Sequence, residues 1–166
     1  MSSHRHTVSL FTLLLVLAGG ASAQIAIGSV GLTWTGSSGS FAGTVCGNQP
    51  PCGLSAVTTT AGETVTIAVR GGFLSPYAVG YSQPVPACVQ IPGISGGFML
   101  DPAGSPLAIG TLDQGDPILS CPGGLHVLQG TIPPGLPLGV VLRFQAFTYD
   151  GAYHPAFTSA IDVTVI

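Results

Sequence analysis

The stretch that decides the fold is residues 140–147, which read Val140-Val141-Leu142-Arg143-Phe144-Gln145-Ala146-Phe147. An apolar side chain recurs there at every second position, in the order Val140, Leu142, Phe144 and Ala146. Alternate side chains of a β-strand point to opposite faces of a sheet, so this period predicts a strand. We expect this apolar set to be buried and the intervening set, which includes Arg143 and Gln145, to be exposed.

The same alternation recurs along the chain. Three further stretches carry it, with apolar sets at Val30, Leu32 and Trp34, at Val65, Ile67 and Val69, and at Ile161, Val163 and Val165. Less regular strands are expected at residues 55–60, 77–82, 87–91, 97–100, 107–112 and 125–132. No long helix is predicted, because Gly, Pro or the strand period interrupts every window. About ten short strands separated by turn signals are typical of an all-β, antiparallel β-sandwich of jelly-roll or immunoglobulin-like type.

One β-sandwich domain is expected over residues 44–166, after an N-terminal strand and a Gly/Ser-rich connection in residues 24–43. Residues 36–43 read Gly-Ser-Ser-Gly-Ser-Phe-Ala-Gly, a composition that favours a flexible connection. The first strand would then be an edge strand, separated from the main sandwich. Near the other end of the chain, Asp150-Gly151 and Pro155 bound a predicted hairpin loop.

Composition excludes long-helix folds and disfavours nucleic-acid binding. The chain has 25 Gly and 14 Pro in 166 residues, and charged residues make up 5% of it. Helical bundles and coiled coils are rich in Ala, Glu, Lys, Leu and Arg, so the chain belongs to neither class. Its strong cations are Arg5, Arg70 and Arg143, and it contains no Lys. Nucleic-acid binding requires a basic surface that neutralises phosphates, so we expect no nucleic-acid partner.

Residues 1–23 have the organisation of a cleaved secretory signal peptide. A short polar start contains Arg5, an apolar run extends from Leu10 to Ala18, and Ala21-Ser22-Ala23 gives a small-x-small cleavage pattern. The mature chain is then expected to begin at Gln24. The apolar run is shorter than the roughly 20 residues that cross a bilayer, and no later run is long, so no transmembrane segment is expected in the mature chain. The predicted location is secreted, either extracellular or in the cell envelope or periplasm.

Four cysteines follow the predicted cleavage site: Cys46, Cys52, Cys88 and Cys121. An even number in an exported chain predicts disulfides, and the sequence does not choose among the pairings. The segment between Cys46 and Cys52 can turn back on itself, which favours the pairs Cys46–Cys52 and Cys88–Cys121. The paired C-x2-C knuckles of structural zinc sites are absent, so zinc is disfavoured and no cofactor is expected.

The last third of the chain carries a longer pattern. Residues 132–147 read Ile-Pro-Pro-Gly-Leu-Pro-Leu-Gly-Val-Val-Leu-Arg-Phe-Gln-Ala-Phe, and residues 159–166 read Ser-Ala-Ile-Asp-Val-Thr-Val-Ile. This order resembles the C-terminal end of a family of small secreted bacterial β-sandwich modules of uncharacterised function. Those modules carry an I-P-x-x-x-x-L-x-G-x-x-L-x-F-Q-A strand and then an S-N-A-x-x-V-T-I strand.

The resemblance covers residues 44–166, with Cys46-Gly47 and Cys88 at places comparable to the cysteines of the family. Thr158-Ser159-Ala160 replaces Ser-Asn-Ala, and Cys52 and Cys121 depart from the simplest pattern, so the resemblance does not fix the disulfide pairing. It implies a secreted β module and carries no activity with it.

Gly93-Ile94-Ser95-Gly96-Gly97 matches the G-x-S-x-G pattern of a hydrolase nucleophile. The partners that such a serine would need follow in Ser–Asp–His order: Asp101, Asp113 or Asp116, and then His126. An α/β-hydrolase places that serine on a strand-to-helix turn, and no helix is predicted after Ser95. A glycine turn is therefore the favoured interpretation, and a small secreted hydrolase that uses Ser95 or a carboxylate is the alternative.

Asp113 and Asp116, with Asp101, are candidate calcium ligands because calcium binds carboxylate oxygens. The fixed order of an EF-hand loop is absent, so a solvated turn is the favoured interpretation. His126 and His154 are the histidines of the mature chain. Two isolated imidazoles are too few for a transition-metal site.

The candidate binding residues lie in one loop: Tyr149, Asp150, Tyr153 and His154. Aromatic side chains beside polar groups are typical of binding surfaces, and rigid sandwiches bind through their loops. The other interpretation is a hairpin tip whose tyrosines cover the sheet edge. Trp34 is a lesser candidate, because its phase places it on the apolar face of its strand.

The sequence therefore predicts a secreted, disulfide-linked, non-enzymatic module that binds or has a structural role outside the cell or in its envelope. Few ionisable groups are present from which acid–base chemistry could be built. The sequence does not specify the ligand, and envelope polysaccharide or another surface protein is the expected partner.

Overall fold

The computed structural model describes residues 29–47, 50–118 and 121–166, and the predicted signal peptide lies outside the described residues. The described residues form thirteen strands. In chain order these are β1 (Gly31–Gly36), β2 (Phe41–Thr44), β3 (Leu54–Thr59), β4 (Thr64–Gly72), β5 (Pro76–Ser82), β6 (Pro84–Val89), β7 (Phe98–Leu100), β8 (Ser105–Thr111), β9 (Gln114–Gly115), β10 (Gly123–Thr131), β11 (Val141–Tyr149), β12 (Pro155–Phe157) and β13 (Ala160–Val165).

Two sheets pack face to face as a β-sandwich. The first has the order β2-β1-β4-β10-β9, and the second has the order β3-β13-β11-β5-β8, with β12 also paired to β11. Neighbouring strands are antiparallel except β3 and β13, which run parallel. β6 and β7 form a separate two-stranded sheet. The predicted all-β sandwich is confirmed. Its strands exceed the expected ten because short elements such as β9 and β12 carry no readable alternation.

The core between the sheets contains apolar side chains from each of the four alternating stretches, among them Leu32, Trp34, Val69, Phe144, Ile161 and Val163. It also contains side chains outside those stretches, including Val79 and Leu112. Full burial of one such side chain stabilises a fold by about 1.5–3 kcal/mol. The apolar face predicted for residues 140–147 is therefore the face that joins the second sheet to the first.

The first strand does not lie at an edge, contrary to the expectation drawn from residues 36–43. β1 pairs with β2 on one side and with β4 on the other. The turn between β1 and β2 is tight, because the Gly39 amide donates to the Gly36 carbonyl at 3.0 Å. Gly39 has a φ of 89°, which glycine adopts without a steric penalty. The Gly/Ser-rich stretch thus closes a hairpin within the sandwich.

The disulfides join Cys46 to Cys121 and Cys52 to Cys88, so the expected pairs Cys46–Cys52 and Cys88–Cys121 are wrong. Cys46 follows β2 in the first sheet, whereas Cys52 leads into β3 in the second. The chain between them crosses from one sheet to the other, and each cysteine meets a partner distant in sequence. Two disulfides indicate an oxidising environment outside the cytoplasm. In the part of the chain that the structure describes, no helix has the length and apolarity needed to cross a bilayer.

The outer face of the second sheet is covered by the β6–β7 hairpin, so Arg143 and Gln145 are buried rather than exposed as the alternation predicts. The Gln145 side chain accepts from the Met99 amide at 2.9 Å and donates to the Gly97 carbonyl at 2.7 Å. Arg143 donates to both carboxylate oxygens of Asp162, at 2.7 and 2.8 Å. Burial of these polar groups is tolerated because each has partners.

Candidate functional site

The predicted binding loop is the tip between β11 and β12, and Asp150 fixes its shape. Asp150 Oδ1 accepts hydrogen bonds from the amides of Ala152 at 2.8 Å and His154 at 2.9 Å. Asp150 Oδ2 lies 3.4 Å from His154 Nδ1. An aspartate that bonds the backbone just after it stabilises a turn. This carboxylate therefore has a structural role in the loop.

The two tyrosines of the loop contact different neighbours. Tyr149 is half-buried beside Phe147, with ring centroids 5.9 Å apart. Tyr153 is 64% exposed, and its hydroxyl donates to the Phe73 carbonyl in the β4–β5 turn at 3.3 Å. Tyr153 therefore contributes more exposed aromatic surface than Tyr149. Binding through this loop stays a prediction.

Backbone strain lies at the same end of the sandwich. Among the described residues other than glycine, Leu74 and Tyr153 have positive φ values, of 60° and 62°. This conformation costs an L-residue about 1–2 kcal/mol. Both side chains are large and more than half exposed, so burial does not offset the cost. With Phe73, they form an exposed apolar patch on two adjacent turns.

Ser95 lies in an isolated β-bridge with Ala156 instead of on a strand-to-helix turn. Its amide donates to the Pro155 carbonyl at 3.0 Å, and its carbonyl accepts from the Phe157 amide at 2.8 Å. His126, the base of the hydrolase alternative, has its Nδ1 3.5 Å from Asp113 Oδ1. Activation of a serine requires a hydrogen bond to its base, and the described residues form no such bond at Ser95.

The candidate calcium ligands Asp113 and Asp116 contact different groups of the protein itself. Asp116 Oδ2 lies 2.9 Å from Arg70 Nε, an ionic contact without hydrogen-bond alignment. Asp116 Oδ1 accepts from the Ile118 amide at 3.0 Å. Over residues 29–47, 50–118 and 121–166, no three His, Cys, Asp or Glu side chains are grouped so as to hold a metal ion. Calcium binding through Asp113 and Asp116 stays a prediction.

Glu63 joins two turns through hydrogen bonds to its buried carboxylate. Glu63 Oε1 accepts from the Ser38 hydroxyl at 2.6 Å and the Ser38 amide at 2.9 Å. Glu63 Oε2 accepts from the Thr59 hydroxyl at 2.8 Å and the Thr60 amide at 3.1 Å. These bonds, the Ser38 hydroxyl foremost, stabilise the charged form and lower the pKa of Glu63 from 4.5 to about 2.

A cavity of about 450 Å³ lies between the two sheets, at the end where β4 begins. Its walls are apolar and come from both sheets. The side chains that define them include Ile67 and Leu128 of the first sheet and Leu142 of the second. None of the residues that line it is Asp, Glu, Lys, Arg or His. Such a space can hold an apolar molecule that has few polar atoms.

Three aromatic side chains form one wall of the cavity. The Phe144 ring centroid lies 5.2 Å from that of Trp34 and 5.9 Å from that of Tyr81. These residues belong to β11, β1 and β5, so the wall joins both sheets. Trp34, the single tryptophan of the chain, is 1% exposed. Aromatic pairs contribute about 0.5–1.5 kcal/mol beyond burial, which holds this wall in place.

The cavity opens to solvent between β8 and β10. β8 is the edge strand of the second sheet. In the first sheet, β9 covers only the start of β10, at Gly124 and Leu125, so the rest of β10 is a free edge among the described residues. Four cavity-lining residues on these strands are exposed: Leu107, Gln129, Gly130 and Thr131. A ligand would enter between these two edges.

Gly130 keeps this opening wide because it has no side chain. It is paired with Val65, whose side chain is in the core, and directly paired residues project to the same face of a sheet. A Cβ placed on Gly130 meets no atom within 4 Å. No sequence pattern predicts the cavity, because residues 125–132 have no regular alternation that would assign Gly130 to a face of the sheet.

Comparison with known proteins does not assign the site. No family model matches the chain, and no curated protein matches it.

Proposed function

We propose that the chain is a secreted, non-enzymatic binding module whose ligand is a small apolar molecule held between the sheets. The observation that carries this proposal is the open, apolar cavity of about 450 Å³. Small-molecule sites have volumes of about 300–1,000 Å³ and mostly apolar walls, and the cavity falls in this range.

The contacts of the acidic side chains support a non-enzymatic role. General acid–base catalysis needs a titratable group within reach of the substrate. No Asp, Glu or His lines the cavity. Each carboxylate of the chain lies in the described residues and contacts a group of the protein itself: Glu63, Asp101, Asp113, Asp116, Asp150 and Asp162.

The secreted location is supported by two independent features. Residues 1–23 have the pattern of a signal peptide, and the mature chain carries two disulfides. The resemblance to small secreted β modules agrees with this location. Such a module would take its ligand from the medium or from the envelope.

Binding of N-phenyl-1-naphthylamine, an uncharged fluorophore that brightens in apolar sites, tests the proposal. The protein would be the chain from Gln24 with both disulfides formed. Gly130→Leu places a side chain in the cavity, where a Cβ meets no atom within 4 Å. Gly115→Leu is the matched control, because a Cβ there also meets nothing within 4 Å and the residue does not line the cavity.

The proposal predicts saturable binding of one fluorophore per chain, retained in Gly115→Leu and weakened at least about tenfold in Gly130→Leu. A loss of that size corresponds to about 1.4 kcal/mol of binding free energy, less than the burial of a single leucine contributes. Absence of saturable binding, or equal binding by Gly130→Leu, would reject the cavity as the ligand site. Thermal melting of the three proteins establishes that each is folded.

A further inference from the structure

The charges of the chain lie away from the cavity. No Asp, Glu, Lys, Arg or His lines it, and its polar lining residues at the mouth, Gln129 and Thr131, are uncharged. Glu63, two residues before the lining residue Val65, directs its carboxylate to Ser38, Thr59 and Thr60. A ligand in the cavity thus meets no charged side chain.

The cations of the described chain are already paired with carboxylates. Arg143 is bound to Asp162 at 2.7 and 2.8 Å on the outer side of the second sheet. Arg70 Nε lies 2.9 Å from Asp116 Oδ2. The chain has no Lys, and its third Arg, Arg5, belongs to the predicted signal peptide outside the described residues. Among the residues that the structure describes, a carboxylate or phosphate on a ligand therefore finds no Arg or Lys that lacks a carboxylate partner.

We infer, resting on the proposed function, that the cavity selects an uncharged apolar ligand and rejects an ionised one that has the same hydrocarbon body. An ion transferred from water to an apolar site loses its hydration, and this cost is recovered only where the site supplies an opposite charge and hydrogen bonds. The lining supplies no opposite charge for an anion or a cation, and its polar groups, on Trp34, Tyr81, Gln129 and Thr131, are all uncharged. The ligand class is thus a neutral lipid-like molecule, such as a long-chain alcohol, ester or hydrocarbon, and not a free fatty acid or a phospholipid headgroup.

Displacement of N-phenyl-1-naphthylamine by three compounds with the same alkyl chain tests the inference. Dodecanol is neutral, dodecanoate is anionic and dodecylamine is cationic at neutral pH. The two ions would be used below their micelle concentrations, and dodecanol below its solubility limit in water. We expect dodecanol to displace the fluorophore at a concentration at least about tenfold lower than either ion, because an ionic group that enters the cavity with its alkyl chain loses hydration that no charged lining residue replaces.

A charge introduced at the mouth provides a second test. Leu107→Lys places an ammonium group beside the cavity, because Leu107 is a lining residue that is 46% exposed. Ile109→Lys is the matched control on the same strand, 76% exposed and outside the lining. Leu107→Lys should improve displacement by dodecanoate by up to about fivefold, as a solvent-exposed ion pair allows. Ile109→Lys should leave it unchanged.

The outcomes separate the two proposals. If dodecanoate displaces the fluorophore from the parent protein at the same concentration as dodecanol or a lower one, the inference is overturned and the apolar binding function stands. Improvement by Ile109→Lys as large as that by Leu107→Lys also overturns it, because the effect would then be general surface charge. Failure of the fluorophore itself to bind the parent protein ends the proposed function, and the inference falls with it.

Discussion

Trp34 and Phe144 are in ring contact across the two sheets of the sandwich, with centroids 5.2 Å apart and planes inclined at 48°. Both residues line the cavity. The contact therefore joins β1 to β11 and at the same time forms the cavity wall. A change that loosens this pair should affect both stability and binding, whereas a change at the cavity mouth should affect binding alone.

Phe144→Ala should destabilise the protein by about 3–5 kcal/mol, because it removes a buried aromatic ring and enlarges the cavity. Phe144 is 7% exposed and contacts both Trp34 and Tyr81. Phe41→Ala is the control, because Phe41 is 56% exposed. Chemical denaturation would measure both. A loss at Phe144 no larger than that at Phe41 would show that the aromatic wall does not stabilise the sandwich.

Glu63 should make stability depend on pH in the acidic range. Its pKa is lowered from 4.5 to about 2 on folding, so its contribution is present above pH 4.5 and is lost as the pH falls from 4.5 to about 2. Glu63→Gln should cost about 1–3 kcal/mol at neutral pH and flatten the decline in that window. Melting temperatures at a series of pH values would measure this.

Asp101→Asn is the control for Glu63, since it also replaces an acid by its amide and the Asp101 carboxylate accepts an exposed hydrogen bond from the Ala103 amide at 2.8 Å. A decline that is flattened in Glu63→Gln and not in Asp101→Asn is due to the Glu63 carboxylate. If Glu63→Gln and the parent lose stability in parallel between pH 4.5 and about 2, the hydrogen bonds of Glu63 do not stabilise its charged form.

Arg143→Met should destabilise the fold by about 3–5 kcal/mol, because Asp162 then remains as a largely buried anion without its partner. The hydrogen bonds that Arg143 donates to the Asp162 carboxylate raise the pKa of Arg143. The double variant Arg143→Met with Asp162→Leu should recover much of the loss, since it leaves no unpaired charge. Equal losses in the single and double variants would assign the effect to packing under the β6–β7 hairpin.

Leu74→Gly should leave stability unchanged or raise it by up to about 1 kcal/mol, because glycine relieves a positive φ. Leu74 has a φ of 60° and is 61% exposed, so little burial is lost. Ile109→Gly removes another exposed apolar side chain from a regular strand position and should destabilise the protein by about 0.5–1 kcal/mol. Calorimetric melting that gives the same sign for both variants would mean that Leu74 is not strained.

The strands could be predicted because the period of two is a local property, and residues 140–147 display it plainly. The burial of Arg143 and Gln145 could not be predicted, because it depends on the β6–β7 hairpin, which comes from elsewhere in the chain and covers the outer face of the second sheet. The pairing of Cys46 with Cys121 depends on which sheet each segment joins. Proximity in sequence is a poor guide when the chain crosses between sheets.

The candidate site was outside the reach of the sequence for a similar reason. Alternation places Phe144 on the apolar face of its strand, but it does not give the separation of the two sheets at β8 and β10. The loop of Tyr149 and Tyr153 was predicted from its composition, and the structure places its aspartate in the turn and one tyrosine at the surface.

The most direct test of the apolar binding site is the emission of Trp34 as N-phenyl-1-naphthylamine is added. Trp34 is the single tryptophan of the chain and lines the cavity, so a fluorophore bound there lies close enough to accept its excitation energy. The account predicts saturable quenching of Trp34 with matching fluorophore emission in the parent and Gly115→Leu, and the loss of both in Gly130→Leu. Fluorophore binding that leaves Trp34 emission unchanged, or quenching that survives in Gly130→Leu, would contradict a ligand site between the sheets.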